Sequence, residues 1–98
     1  MLELRPNCEL CDKNLSPSSS EARICSYECT FCATCVDNVC PNCGGGFSAR
    51  PIRPANPHRE GVSVELQPAS KNRKQCQFTS AEIEEISAML REIPPEER

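Results

Sequence analysis

The chain has 98 residues, 38% of them hydrophobic and 4% aromatic, with nine prolines, no tryptophan and a formal net charge of −3. This is enough for one small domain, and apolar burial alone leaves a domain of that size marginal. No apolar run is long enough to span a bilayer, so no membrane role is expected; nine cysteines in so short a chain point instead to a covalent or metal framework.

Leu2-Glu3-Leu4 alternates apolar with polar and predicts a short strand, after which Arg5-Pro6-Asn7 turns the chain into its first cysteines. From there to residue 43 run eight of the nine: Cys8, Cys11, Cys25, Cys29, Cys32, Cys35, Cys40 and Cys43. They form four close pairs, and a tight turn between two cysteines brings two sulfurs to one point without long-range folding. The last pair shows the turn chemistry: Cys40-Pro41-Asn42-Cys43-Gly44 places Pro where φ near −65° is wanted and Gly where positive φ is wanted. Two such turns complete a tetrahedron, so the pattern predicts two closed sites of four cysteines and two Zn²⁺ ions as cofactors. Metal ligation then provides much of the folding energy, on the order of 10 kcal/mol or more per structural zinc.

A disulfide framework is the first rival. It is opposed by the lack of an apolar leader in Met1–Arg5, which leads to an expected cytoplasmic location, by spacings that suit metal turns, and by the odd ninth thiol, Cys76. Iron is the second. Cys25, Cys29 and Cys32 spell C-x3-C-x2-C, which resembles the cluster motif of radical S-adenosylmethionine enzymes, but 98 residues cannot build the barrel those enzymes need. A plain iron–sulfur site is the form of that rival that the length allows.

Between Cys11 and Cys25 the Ser16-Pro17-Ser18-Ser19-Ser20 run reads as a surface loop, and Arg23–Tyr27 as a strand delivering Cys25 with Ile24 turned inward. Phe31 reads as core, and Phe47 as folding back onto it. Residues 1–54 are thus expected to form the two-zinc domain. From Ser48 the composition turns linker-like, with Pro51, Pro54 and Pro57 favouring an extended chain, and residues 55–77 read as a proline-rich basic linker. Val62, Val64 and Leu66 alternate as one weak strand.

Residues 78–94 predict a helix. Thr79-Ser80-Ala81-Glu82 is a capping box, Phe78 and Ile83 stand in hydrophobic-staple positions, and Pro94-Pro95 stop the helix. Ile83, Ile86, Leu90 and Ile93 recur at helical spacing. This stripe docks on the zinc core, pairs with a second copy to make a dimer, or binds a protein partner, the four residues being the candidate partner-binding set. His58 reads as exposed, since eight cysteines already fill two tetrahedra, and Cys76 as a free thiol.

With these residues in order, the spacing resembles a RING-type zinc-binding pattern, with cysteine at the usual histidine place, Cys29. More closely, MLELRPNCELC, ARICSYECTFCATC and CPNCGG resemble domain-of-unknown-function family 1272, small bacterial proteins with a RING-like or treble-clef-like zinc-binding character. The match covers residues 1 to about 54 and implies no established activity. The RING resemblance implies cross-brace ligation: Cys8, Cys11, Cys32 and Cys35 on one zinc, Cys25, Cys29, Cys40 and Cys43 on the other. The sequential alternative, the first four cysteines and then the last four, stays open. The expected fold is therefore a small metal-stabilised, RING-like two-zinc domain with short strands, followed by a proline-rich tail and one C-terminal amphipathic helix.

No Ser/His/Asp set, phosphate loop or carboxylate pair stands out, and a closed four-thiolate site has no position for water. The expected function is a non-catalytic zinc-binding interaction module, a protein–protein adaptor whose partner is unknown. Nucleic-acid binding through Arg50, Arg53, Arg59, Lys71, Arg73 and Lys74 is the alternative, not favoured, because that segment is basic while the rest of the chain is acidic. A ubiquitin-ligase-like role follows from the RING resemblance, but four residues between Cys35 and Cys40 leave no room for the helix that shapes a ligase groove.

Overall fold

The structure is a computed structural model that describes residues 1–98. Its centre is a hairpin. Strand β1, Ala22–Ile24, pairs antiparallel with β2, Thr30–Cys32, in the register Ala22–Cys32, Arg23–Phe31 and Ile24–Thr30. The connecting turn is the second cysteine pair. Cys25 N–H donates to the Cys29 carbonyl at 3.2 Å, and Glu28, at φ 65°, takes the left-handed conformation that closes the turn. The strand therefore stops at Ile24, because Cys25 already belongs to the turn. A two-residue strand β3, Ser48–Ala49, pairs with the other edge of β1, giving the order β2-β1-β3.

Only 18 of the 98 residues are buried, and the central apolar cluster is Cys8, Leu15, Ala22, Cys25, Phe31, Cys32 and Cys40. More than half of those seven are cysteines, so the sulfurs are the core rather than an addition to it. Phe31 is fully buried and meets Phe47 edge to face, ring centroids 5.6 Å apart, a contact contributing about 0.5–1.5 kcal/mol beyond burial.

Two expected strands do not form. Leu2–Leu4 finds no edge to join; Glu3 N–H donates instead to the Glu28 carboxylate at 2.8 Å, and Leu4 is buried. The alternation at Val62–Leu66 also has no neighbour, and the chain turns there, with Gln67 N–H on the Ser63 carbonyl at 2.8 Å. The segment read as a linker turns repeatedly as far as residue 67, and its last part is extended and lies along the metal domain. Ser70 N–H donates to the Leu4 carbonyl, the buried Asn7 amide donates to the Lys74 carbonyl at 2.8 Å, and Cys76 N–H donates to the Glu9 carbonyl at 2.7 Å. Partners advance together, so residues 70–76 run parallel to residues 4–9. Arg73 ties the same stretch to Asp12.

Helix α1, Ser80–Leu90, begins at Thr79 with both hydrogen bonds of the capping box in place, a device contributing about 1 kcal/mol. It ends at Arg91, ahead of Pro94, and a 3₁₀ turn, Pro95–Glu97, follows. Ile83, Ile86, Leu90 and Ile93 are half-buried and Ser87 is buried, so the stripe faces inward rather than to solvent. The contact is close at Gly44, where a Cβ would stand 2.8 Å from the Leu90 Cδ1. Arg98 completes the closure, donating to the carbonyls of Asn38 at 2.8 Å and Gly44 at 3.0 Å. Arg91 reaches the Asp37 carboxylate at 3.6 Å.

Gly44 has φ 81° and no room for a methyl group. Gly44→Ala is expected to cost about 1–2 kcal/mol in backbone strain and to displace the helix from the last cysteine pair. Thermal unfolding together with loss of Leu90 methyl contacts by NMR checks both effects; an unchanged melting curve contradicts them.

Candidate metal centres

The first centre gathers two distant pairs. The sulfurs of Cys8, Cys11, Cys32 and Cys35 all lie within 4.8 Å of one another, and Cys11 Sγ and Cys32 Sγ are 3.7 Å apart. Cys8 and Cys11 stand on a turn closed by Asp12 N–H on the Cys8 carbonyl at 3.0 Å, with Asp12 at φ 63°. Cys32 ends β2 and Cys35 follows one turn later, its N–H on the Cys32 carbonyl at 3.0 Å.

In the second centre Cys25, Cys40 and Cys43 lie within 4.8 Å of one another. The Cys40–Cys43 turn repeats the first: Gly44 N–H donates to the Cys40 carbonyl at 2.8 Å, and Gly44 takes the positive φ that Asp12 takes in the other pair. Cys29 is not within that radius of all three sulfurs. It stands beside Cys25 across the hairpin turn, close enough for the two thiols to interact.

The sheet explains why the pairs interleave. Cys29 and Cys32 are three residues apart on an extended segment, and at about 3.3 Å per residue their Cα atoms are separated by about 10 Å. They cannot share a tetrahedron. Cys32 therefore joins the first pair, and Cys29 stays by Cys25 at the other end of β2.

Backbone amides aim at sulfur in both centres: Leu10 N–H at Cys8 Sγ (3.5 Å), Tyr27 N–H at Cys25 Sγ (3.4 Å) and Gly45 N–H at Cys43 Sγ (3.4 Å). Such donors stabilise thiolates that hold a cation. Burial pushes the thiols of Cys8, Cys29, Cys35 and Cys40 up, Cys35 and Cys40 furthest. Cys32 goes the other way: burial raises it, but hydrogen bonds with Cys35, Cys11 and Cys8 together bring it down. Four thiolates at one point repel, and a soft divalent cation supplies the missing charge. The donor set, four or three sulfurs with amide support and no carboxylate among them, suits zinc or iron and not the hard oxygen-seeking cations.

Two residues missed by reading the sequence lie between the centres. Glu9, within the first pair, is buried and accepts from Arg5 Nη1 at 2.9 Å, Thr30 N at 2.7 Å and Asn42 Nδ2 at 3.2 Å. Asn42, within the last pair, also accepts from the Cys76 thiol at 3.2 Å. The sequence offered no local signal for Glu9, since its partners Thr30 and Asn42 lie 21 and 33 residues away.

Three of the six basic residues of segment 50–74 are committed to the fold. Arg50 is 3% exposed and donates to the carbonyls of Arg5, Leu15 and Ser16; burial holds its guanidinium below the usual arginine range. Arg53 donates to the carbonyls of Leu2 and Gln67, and Arg73 pairs with Asp12. Arg59, Lys71, Lys74 and His58 are exposed. No helix is long and apolar enough to cross a membrane.

The family described as a protein of unknown function, DUF1272, matches residues 1–53. The chain belongs to this family. The match holds all eight paired cysteines, Glu9, Asn42 and Arg50, and ends before the extended residues 70–76 and the helix. The uncharacterized protein R02474 of Rhizobium meliloti (strain 1021) is 57% identical over 60 residues, covering 57% of this chain and 71% of that protein. No solved structure matches the chain. Within the DUF1272 segment the two cysteine clusters make the chain a candidate metal-binding module.

The raised thiols set a pH dependence. Without a cation, Cys8, Cys29, Cys35 and Cys40 keep their protons at neutral pH, so metal binding must release them, and protons compete as pH falls. Apparent zinc affinity, measured by chelator competition, is expected to rise steadily from pH 6 to pH 8. A pH-independent affinity contradicts thiolate ligation.

Proposed function

We propose that the chain is a zinc-stabilised, non-catalytic interaction module holding two zinc ions in a RING-like cross-brace. The observation that carries this is the gathering of Cys8, Cys11, Cys32 and Cys35 within 4.8 Å, first pair with third, which leaves second and fourth to the other centre. Cys29 is the natural fourth ligand there, since it is the remaining cysteine of the second pair and its thiol already interacts with that of Cys25. A tetrahedron closed by four thiolates has no open position for water, so the zinc is structural.

The adaptor reading draws on exposed apolar side chains outside the core. Phe78 and Met89 are 46% and 64% exposed and flank a shallow cleft of about 270 Å³ with Pro41 and Ile86. A protein partner, or a second copy, is proposed to use that outer edge of the helix, where Ile86 is only partly covered, because Leu90 packs at Gly44 and is taken up by the docking on the metal domain. The nucleic-acid alternative is weakened by the internal hydrogen bonds of Arg50, Arg53 and Arg73. For the ligase-like alternative, Val36–Val39 remains a non-helical loop, its Asp37 carboxylate accepting from Val39 N–H.

Elemental mass spectrometry of the natively purified chain is expected to give two zincs per chain. Cys29→Ser should weaken one of them by an order of magnitude or more, while Cys76→Ser keeps both. Chelation is expected to abolish the folded circular dichroism spectrum, since about 10 kcal/mol or more per zinc is withdrawn. One zinc in the wild type, iron, or a spectrum unchanged by chelation contradicts the proposal.

A further inference from the structure

One buried carboxylate stands inside the first cysteine pair and bonds a residue beside the second and one inside the fourth. Glu9 stands between Cys8 and Cys11 and is 4% exposed. Its Oε2 accepts from the backbone N–H of Thr30, the residue after Cys29, at 2.7 Å, and from Arg5 Nη1 at 2.9 Å. Its Oε1 accepts from Asn42 Nδ2, between Cys40 and Cys43, at 3.2 Å. Its own N–H donates to the Thr30 carbonyl at 3.0 Å. A buried carboxylate is tolerated only with such partners: Arg5 compensates its charge, and losing Thr30 N–H or Asn42 leaves a buried oxygen short of a donor.

The pairs that Glu9 joins serve different clusters. Cys8 and Cys11 belong to the first, Cys40 and Cys43 to the second, and Cys29 stands beside the second. We propose that Glu9 is a positioning residue that makes the two centres fill as a unit. Ordering of Cys8 and Cys11 around a cation aims the carboxylate at Thr30 N–H and Asn42, and this arranges Cys29, Cys40 and Cys43 before their own cation arrives. By reciprocity, filling the second centre favours the first by the same factor. The chain also links the centres, through strand β2 between Cys29 and Cys32 and through the four residues between Cys35 and Cys40, and a side-chain substitution at Glu9 leaves both in place. The inference rests on the two-metal reading above.

Glu9→Gln keeps the size of the side chain but leaves one oxygen where the carboxylate offers two, so an N–H of Asn42 or Thr30 loses its acceptor. The metal-stripped full chain, titrated with zinc and followed by native mass spectrometry, reads the coupling directly. At one equivalent the wild type is expected to be mainly empty or doubly loaded. Glu9→Gln is expected to accumulate the singly loaded form, with the second zinc bound about 10- to 100-fold more weakly, and alkylation should find the free thiols in one cluster. Asn42→Ala, which removes the bond to Oε1 together with the acceptor of the Cys76 thiol, should move the distribution the same way where Cys76→Ser does not, and serves as the test if Glu9→Gln does not fold. A role confined to stability lowers the melting temperature and leaves the empty-or-double distribution intact. That result, or a wild type that fills its two centres independently, overturns the coupling alone. A wild type that takes fewer than two zincs at saturation overturns the two-metal reading and the coupling with it.

Discussion

Strand β2 imposes the constraint on which the rest of this molecule depends. Cys29 and Cys32 flank two residues, a spacing that would suit one metal turn, yet Thr30 and Phe31 are held extended by pairing with β1. Extension separates the two cysteines by about 10 Å and sends Cys32 to Cys8 and Cys11. The last pair, four residues after Cys35, then falls beside Cys25. Interleaving of the pairs is thus a consequence of a three-residue strand, and it crosses the chain over itself so that neither cluster is built from one contiguous segment.

Everything outside the sulfurs serves to cover or brace them. The apolar side chains that are fully buried are few, and Phe31 with Phe47 fills the space on one side. The strap of residues 70–76 shields the first pair through Asn7 and Glu9, and helix α1 covers the last pair through Leu90 at Gly44. Arg50 and Arg98 fasten loops by donating to carbonyls rather than to carboxylates. These polar staples are strong only where solvent is excluded, and so they depend in turn on the packed sulfur core.

Local features were legible in the sequence, and long-range ones were not. The four cysteine pairs, the positive φ at Gly44 and the capping box at Thr79 each depend on residues within a few positions of one another. Phe31 was legible as core because little else large and apolar competes for burial. By contrast, Glu9 and Asn42 find each other across 33 residues, and Asn7 finds Lys74 across 67; no periodicity marks such pairs. The alternations at Leu2–Leu4 and Val62–Leu66 mislead because a strand is defined by its neighbour, and neither stretch has one. Which cysteines share a metal was likewise open, since spacing cannot say that Cys29-x2-Cys32 is extended while Cys40-x2-Cys43 is turned.

The central claim is the cross-braced assignment of eight thiolates to two zincs, and replacing zinc with ¹¹³Cd tests it most directly. Scalar couplings between each cadmium and the cysteine β-protons identify the ligands of each centre in solution. The account predicts two resonances, one coupled to Cys8, Cys11, Cys32 and Cys35 and the other to Cys25, Cys29, Cys40 and Cys43. Couplings that join Cys8 and Cys11 to Cys25 and Cys29 on one cadmium contradict it.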